Sequence, residues 1–326
     1  MTSSPPADTF KTKPDWAGEN FLSRVVNALI QTPPIYRLMK RQARQVLIQT
    51  AEKNGIPWRE TYRSLQNSGI QSQLTTIANP NIRYPDYYQV PFHAYDTGNL
   101  CWDAAFEAES ATYAMGLRVW KEESLTAQAA QDRLRSSFHR ALADRQIQAM
   151  DILDIGCSVG ISTQTIHQYY QNQSNSTQPV RTVGLDLSPY MLAVARHQDE
   201  NGQIQDWIHA SAESTGLASE SWDLVTLQFV LHELPRTATI EIFQEIFRLL
   251  RPGGAIAIVD NNPKSQVIQN LPPVLFTLMK STEPWTDDYY TFDVETALQQ
   301  TGFTEITSQE SDPRHRTIIA RKAALN

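Results

Sequence analysis

Short runs rich in β-branched residues alternate with helical stretches from residue 149 to the end of the chain. The seven runs that we predict to be strands are 151–155, 180–186, 204–209, 222–228, 255–260, 303–309 and 315–321. Helices are predicted between them at 161–171, 189–200, 237–250 and 293–301. Strands and helices in alternation form a mostly parallel sheet that is covered on both faces. The pattern therefore predicts a doubly wound, seven-stranded α/β domain over residues 147–326.

The last two predicted strands are separated by the five residues 310–314, which include Pro313. A parallel crossover needs a dozen residues or more. We therefore expect the last strand to run antiparallel to the strand before it.

The first part of the chain has a different texture. Residues 1–20 are polar and contain three prolines, which is typical of a disordered tail. Residues 21–146 read as a helical extension, with helices at 21–32, 36–53, 104–115 and 127–149. The segment 80–103 interrupts this extension with many aromatic residues and no regular period, and we predict that it is an ordered, lid-like loop over a ligand site.

Residues 21–51 contain five basic residues and no acidic one, although the whole chain carries a formal charge of -7. Two interpretations are open. The segment could make peripheral contact with a membrane surface, or it could pack its apolar stripe on the domain and leave a solvated basic face; the second is the more ordinary outcome.

Composition excludes several functional classes. The net negative charge argues against a protein that binds nucleic acid by neutralising phosphates. No stretch of 18 apolar residues is present, so we expect no transmembrane span. Two cysteines are too few for a disulfide scaffold or a cysteine-rich metal site, so we expect no metal and a reducing, cytoplasmic location. A small molecule is the expected ligand, and the oligomeric state is left open.

Glycine is scarce, at 13 of 326 residues, or about 4% against a typical ~7%. The run 154–160, DIGCSVG, is therefore informative, because it ends a predicted strand and opens a helix with glycines at 156 and 160. A dinucleotide-binding loop has a different glycine spacing and a pyrophosphate at its helix. The carboxylate of Asp154 suits an amino or sulfonium group instead, which argues against an NAD-dependent dehydrogenase.

A second acidic residue, Asp186, ends the next predicted strand, 26 residues after Gly160. A carboxylate at this place can accept hydrogen bonds from both hydroxyls of a ribose. The polar run 171–178 lengthens the connection and accounts for the spacing.

Together these motifs resemble the class I S-adenosylmethionine-dependent methyltransferases, in the ubiquinone and menaquinone methyltransferase-like branch. The residues that carry the resemblance are DIGCSVG (154–160), DLSPYML (186–192), SAE (211–213), DLVTLQFVLHEL (223–234) and RLLRPGG (248–254). Their order and spacing cover about residues 150–260. The family also has an antiparallel last strand.

The resemblance implies S-adenosylmethionine as cofactor and S-adenosylhomocysteine as product. The cofactor-binding residues that it implies are Asp154, Gly156, Cys157, Ser158, Gly160, Asp186, Leu187, Met191, Ala212, Glu213, Gln228 and Phe229. Of these, Asp186 would hold the ribose and Met191 would pack on the adenine. The chain departs from the family at Ser158, where a glycine is usual, and at Ser211, where an acidic residue is usual.

The implied activity is methyl transfer to a small hydrophobic or aromatic acceptor, on oxygen or carbon. His232, with Glu233 next to it, and His93 are the candidates for a catalytic base, followed by Asp96 and Asp260. The aromatic segments 80–103 and 261–290 would frame the acceptor. The alternative is a non-catalytic protein that binds the cofactor, or a scaffold, with the helical extension as its partner surface.

Overall fold

The computed structural model describes residues 33–93, 95–173, 179–272, 279 and 282–324. The predicted tail 1–20, the predicted helix 21–32 and most of the polar run 171–178 lie outside the described residues.

One sheet of seven strands organises the second half of the chain, in the order β3-β2-β1-β4-β5-β7-β6. Its strands are β1 (Asp151–Ile155), β2 (Arg181–Asp186), β3 (Asp206–His209), β4 (Trp222–Gln228), β5 (Leu250–Asn261), β6 (Thr304–Glu310) and β7 (His315–Arg321). The first five strands pair in parallel, and β7 is antiparallel to both β5 and β6. The predicted fold class and the antiparallel last strand are confirmed.

Eleven helices surround the sheet in the described part of the chain. The N-terminal extension contributes α1 (Pro33–Lys53), α2 (Trp58–Asn67), α3 (Leu74–Ile77), α4 (Trp102–Val119) and α5 (Ala127–Asp144). The others are α6 (Ile161–Gln173), α7 (Pro189–Gln198), α8 (Arg236–Leu249), α9 (Gln266–Gln269), α10 (Thr286–Tyr290) and α11 (Val294–Thr301). Short 3₁₀ turns lie at Ile70–Gln73, Asp86–Tyr88 and Leu231–Glu233.

Side chains of the strands alternate between two apolar layers, as the period of two requires. Ile152 packs with Phe138 of α5 and Ile166 of α6 on one face. The next residue, Leu153, belongs to the layer on the other face, where Phe243 of α8 lies. Helix α5 of the extension therefore covers one face of the sheet directly.

Several predicted boundaries are wrong. The helix predicted at 104–115 runs from Trp102 to Val119. Helix α5 ends at Asp144 instead of 149, because the chain turns at Gln146 with a φ of 52°. Strand β3 begins at Asp206, two residues later than predicted. Strand β5 begins at Leu250 instead of 255, because Leu250 already pairs with Trp222. The register shift in this ladder spans Gly253 and Gly254.

The described part of the basic segment packs on the fold. The guanidinium of Arg44 donates to the buried carboxylate of Glu107 on α4. Ile48 and Ala51 of α1 pack with Trp58. These contacts favour the packed interpretation, and membrane contact through residues 21–51 stays a prediction. None of the described helices combines the length and the apolar character needed to cross a bilayer.

Candidate functional site

The loop after β1 is held in a left-handed backbone conformation at three positions. The φ angles of Gly156, Ser158 and Gly160 are 71°, 49° and 84°. Glycine adopts such angles without a steric cost, whereas serine is strained there. A Cβ added at Gly156 would lie 2.6 Å from Cγ2 of Val230, so the loop also approaches the chain after β4 closely.

The carboxylate of Asp154 lies beneath this loop. It is 1% exposed and accepts hydrogen bonds from the hydroxyls of Ser162, Thr163 and Thr226. Burial raises its pKa, and the hydroxyl donors oppose that shift. In this structure Asp154 fixes the start of α6 against β4, and its direct contact with a cofactor stays a prediction.

Asp186 links the loops that follow β1 and β2. Its two carboxylate oxygens accept hydrogen bonds from the backbone N–H groups of Ser158 and Ser188, both at 2.8 Å. Burial raises the pKa of Asp186 to about 6, while these backbone donors lower it. Each oxygen keeps a second lone pair, so the carboxylate can still accept from a diol.

Three other predicted residues line or support the same region. Met191, 6% exposed, has its sulfur 3.5 Å from the hydroxyl of Ser158. Leu187 accepts at its carbonyl from Nε2 of His209. Cys157 is buried with Trp207 and Leu192, and burial raises the pKa of its thiol. The cysteine is therefore a packed side chain behind the loop.

At the predicted adenine side, Glu213 is already engaged. Its carboxylate accepts hydrogen bonds from the hydroxyls of Tyr87 and Ser211. Ser211 thus stands where the family has an acidic residue and holds the glutamate two residues later. Ala212 lies half-buried between them. Sequence reasoning missed Tyr87, whose partner is 126 residues away.

A buried arginine lies where β4 ends. Arg135 of α5 is 7% exposed and donates to Oε1 of Gln228 at 2.9 Å. Its Nε and the amide nitrogen of Gln228 are buried, and neither has a hydrogen-bond partner in the part of the chain that the structure describes. Phe229, with a φ of 63°, packs its ring under the guanidinium. Burial lowers the pKa of Arg135 to about 10, which leaves it charged at neutral pH.

Arg135 forms no ion pair with a carboxylate of the described residues. Asp154 acts on it electrostatically, but that carboxylate is occupied by three hydroxyl groups. An uncompensated buried charge is costly, so the pair of Arg135 and Gln228 is suited to bind an anion. Sequence reasoning missed Arg135; the available signal was a polar position within the apolar face of α5.

His232 and Asp260 form a hydrogen-bonded pair beyond β4. Nδ1 of His232 lies 2.7 Å from Oδ1 of Asp260, and the backbone N–H of His232 donates to Oδ2. Burial lowers the pKa of His232, but the Asp260 carboxylate outweighs it and raises that pKa to about 10. His232 is therefore an imidazolium at neutral pH, and Asp260 has a lowered pKa beside it.

The second candidate base, His93, reaches the same region from the segment 80–103. Its Nε2 lies 3.9 Å from Oε1 of Glu233 and 4.0 Å from Oε1 of Glu283. The surrounding protein, and to a lesser degree His232, lowers the pKa of His93, so its imidazole is neutral. Sequence reasoning missed Glu283, which lies within the predicted acceptor segment 261–290.

Hydrogen bonds hold the segment 80–103 across the edge of the sheet at which the parallel strands end. Asn99 accepts at its carbonyl from the hydroxyl of Ser188, and Trp285 donates to the carbonyl of Tyr87. The N–H of His93 donates to the carbonyl of Thr282. The two aromatic segments thus meet above β2 and β4. The loop after β1 (154–160), named the cofactor loop for its predicted role, and the two histidines lie in the same region.

The strained serine of the loop gives a first prediction. We expect Ser158→Gly to change the free energy of unfolding by less than about 1 kcal/mol, because relief of the left-handed strain offsets the greater entropy of an unfolded glycine. Affinity for S-adenosylmethionine should change by no more than a few fold. Urea unfolding and calorimetry check this; a tenfold loss of affinity would show that the hydroxyl contributes to binding.

Comparison with known proteins agrees with this geometry. Residues 153–258 match the model of a methyltransferase domain. The chain is 30% identical over 156 residues to an uncharacterized methyltransferase of Synechocystis sp., covering 48% of this chain and 67% of that one. It is 32% identical over 117 residues to erythromycin 3''-O-methyltransferase of Saccharopolyspora erythraea, covering 35% of each chain. The match thus spans about a third to two thirds of these relatives.

A solved structure shows the same fold. The putative O-methyltransferase of Nostoc punctiforme superposes with a TM-score of 0.50 at 19% identity, over 79% of this chain and 69% of that one. The loop after β1, the acidic end of β2, the antiparallel β7 and these similarities lead to one conclusion. The chain belongs to the S-adenosylmethionine-dependent methyltransferase family, with the Rossmann-like class I fold.

Proposed function

We propose that this protein transfers a methyl group from S-adenosylmethionine to a small hydrophobic or aromatic acceptor, on oxygen or carbon. One observation carries the proposal: three groups lie at the same edge of the sheet. They are a carboxylate that can bind a diol, a pair of side chains suited to an anion, and a cluster of ionisable side chains. These are Asp186, the pair of Arg135 and Gln228, and the group around His232.

The residues present fit the cofactor at both of its ends. Asp186 keeps the lone pairs that two ribose hydroxyls need. At the other end, Arg135 and Gln228 have buried donors without partners, which suit the methionyl carboxylate. Bound there, the cofactor supplies an electrophilic methyl group on a sulfonium sulfur.

The chain's own residues would accelerate methyl transfer by positioning the acceptor and by excluding water from the site. Methyl transfer is an in-line displacement, so much of its acceleration comes from placing the acceptor in attack geometry in a dry site. Tyr88 of the segment 80–103 lies close enough to Asp186 and Glu233 for both carboxylates to raise its pKa, after the larger effect of burial. The segment therefore covers the region between the cofactor residues and the histidines.

The aromatic side chains above the site support an apolar acceptor. Tyr87 packs edge-on against Trp285, so the two segments present a joint apolar surface. The relative from Saccharopolyspora erythraea is named as an O-methyltransferase, which agrees with transfer to oxygen. The buried, charged cluster beside the site favours catalysis over the alternative of a non-catalytic scaffold, because a scaffold gains nothing from it.

Arg135 gives a prediction that separates the two ends of the cofactor. We expect Arg135→Gln to weaken binding of S-adenosylhomocysteine by about 10- to 100-fold, because a charge-assisted hydrogen bond to a carboxylate contributes about 1.5–3 kcal/mol. Binding of methylthioadenosine, which has no carboxylate, should stay within about threefold of the wild type. Calorimetry with both ligands checks this.

The control for Arg135→Gln is Arg133→Gln, two residues away on the opposite, exposed face of the same helix. The Arg133 guanidinium pairs with Glu123 and is 48% exposed. Equal losses of both ligands in Arg135→Gln would contradict the carboxylate assignment and indicate a general defect of the site.

The activity itself is tested with a metabolite extract and S-adenosylmethionine labelled on its methyl group. The proposal expects label in the small-molecule fraction, soluble in organic solvent, with S-adenosylhomocysteine formed in equal amount. Label in DNA, or a tight complex with duplex DNA at physiological salt, would refute the small-molecule acceptor. Cofactor binding without any label transfer would favour the non-catalytic alternative.

A further inference from the structure

Glu233, which follows the candidate base His232 in the sequence, lies at the centre of the ionisable cluster. Its Oε1 is 3.9 Å from Nε2 of His93 and 4.0 Å from Nε2 of His232. Both distances are too long for a direct hydrogen bond and short enough for a single bridging oxygen. The side chain is 27% exposed, so the carboxylate is open to the site.

From this geometry we propose that Glu233, and neither histidine, accepts the proton of a hydroxyl-bearing acceptor. The inference rests on the proposed function and deepens it, because it names the acceptor as an alcohol or phenol. The acceptor oxygen would lie between Oε1 of Glu233 and Nε2 of His93, which are 3.9 Å apart.

The reaction balances with the groups present. The acceptor oxygen forms a bond to the methyl carbon, and the bond from that carbon to sulfur breaks with its electron pair left on sulfur. The O–H bond breaks, and its proton moves to the Glu233 carboxylate. The products are the methyl ether, S-adenosylhomocysteine and a neutral carboxyl group.

The histidines are less suited to this step. His232 is held as an imidazolium by Asp260, so it has no free lone pair to receive a proton. His93 is neutral but its pKa is lowered, which makes it a weak base. Efficient proton transfer needs a pKa near the working pH. Burial raises the pKa of Glu233 to about 8, with Glu283 and Asp186 adding to the shift and His232 opposing it.

Several of the described elements around Glu233 bring a titratable group. The groups are His232 from the same turn, Asp260 from β5, Asp186 from β2, His93 and Tyr88 from the segment 80–103, and Glu283 before α10. Carboxylates outnumber cations in this set. A sulfonium cation bound beside these groups lowers the pKa of Glu233. Binding of the cofactor therefore favours the ionised form of the Glu233 carboxyl group.

This linkage provides a test that needs no acceptor. Calorimetry in two buffers of different ionisation enthalpy, at about pH 7.5, counts the protons released when a ligand binds. We expect S-adenosylmethionine to release roughly half a proton more per site than the uncharged thioether S-adenosylhomocysteine. Glu233→Gln should abolish the difference. Glu220→Gln, a control with a 54% exposed side chain before β4, should keep it.

A second readout concerns the rate. In the labelled-methyl assay with the extract and limiting S-adenosylmethionine, the wild-type rate should rise with pH towards about 8, the pKa of Glu233 in the free enzyme. Glu233→Gln should lose about 10²- to 10⁴-fold and show no such rise. Glu233→Asp, which keeps a carboxylate, should restore part of the rate and its pH dependence.

The outcomes are distinct. Absence of S-adenosylmethionine binding in the folded wild type overturns the proposed function together with the inference. Binding with equal proton release for both ligands, or a difference that persists in folded Glu233→Gln, overturns the inference alone. If Glu233→Gln does not melt cooperatively, the same comparison with Glu233→Asp applies, which should shift the proton release without removing it.

Discussion

Asp186→Ala is expected to weaken S-adenosylmethionine binding by about 100-fold or more. The carboxylate can accept from both ribose hydroxyls, and each charge-assisted hydrogen bond contributes about 1.5–3 kcal/mol. The substitution also frees the backbone N–H groups of Ser158 and Ser188 inside the loop region, which adds to the loss. Calorimetric titration of the purified variant measures it.

The control for Asp186→Ala uses a second ligand and a second variant. Methylthioadenosine has the same ribose, so its binding should fall together with that of S-adenosylmethionine. In Arg135→Gln only ligands with the methionyl carboxylate should lose affinity. Wild-type affinity in Asp186→Ala, with a normal thermal unfolding profile, would refute the assignment of Asp186 to the ribose.

Gly160→Ala is expected to lower the free energy of unfolding by about 2–5 kcal/mol. The φ of 84° costs an alanine about 1–2 kcal/mol. A Cβ there would lie 2.5 Å from Cη2 of the Trp207 ring and 3.2 Å from Cβ of Ala195, and such overpacking costs about 1–3 kcal/mol more. Urea unfolding followed by tryptophan fluorescence checks the value.

Gly202→Ala is the matched control for this prediction. Its φ is 59°, and nothing lies within 4 Å of the added Cβ, so only the backbone strain of about 1–2 kcal/mol applies. A loss in Gly160→Ala no larger than that in Gly202→Ala would show that Trp207 moves away freely and does not set the path of the cofactor loop.

The positions of the strands along the chain could be predicted from local patterns in the sequence. Each buried strand is a short apolar run between turn residues, and such runs are read without knowledge of distant contacts. The antiparallel direction of β7 followed from the length of one loop. Some errors lie at boundaries: β5 extends to Leu250 because it pairs with Trp222 of β4, which is a tertiary contact. Helices α2 and α3 were not predicted.

The cofactor loop could be predicted in outline because its residues are consecutive, and its glycines at 156 and 160 do take positive φ angles. Arg135 could not be predicted as a site residue. A polar residue on an apolar helix face indicates a site only when the fold shows its partner, here Gln228 at the end of β4. Glu283 and Glu233 are 50 residues apart, and both contact His93 only through the fold. Sites assembled from distant segments leave no local pattern.

The two histidines illustrate the same limit. Both lie beside the site, yet their neighbours determine what they can do. Asp260 keeps His232 charged, whereas His93 is kept neutral by the protein around it. The sequence offered residue type and approximate place; the protonation state depends on groups that arrive from β5 and from the segment 80–103.

The most direct test of the account is a calorimetric titration of the wild-type chain with S-adenosylmethionine in the presence and absence of S-adenosylhomocysteine. We predict one binding site per chain and simple competition between the two, since Asp186, Arg135 and Gln228 would contact parts that both ligands share. Absence of binding by a folded chain, or binding of S-adenosylmethionine that S-adenosylhomocysteine does not displace, would contradict the account.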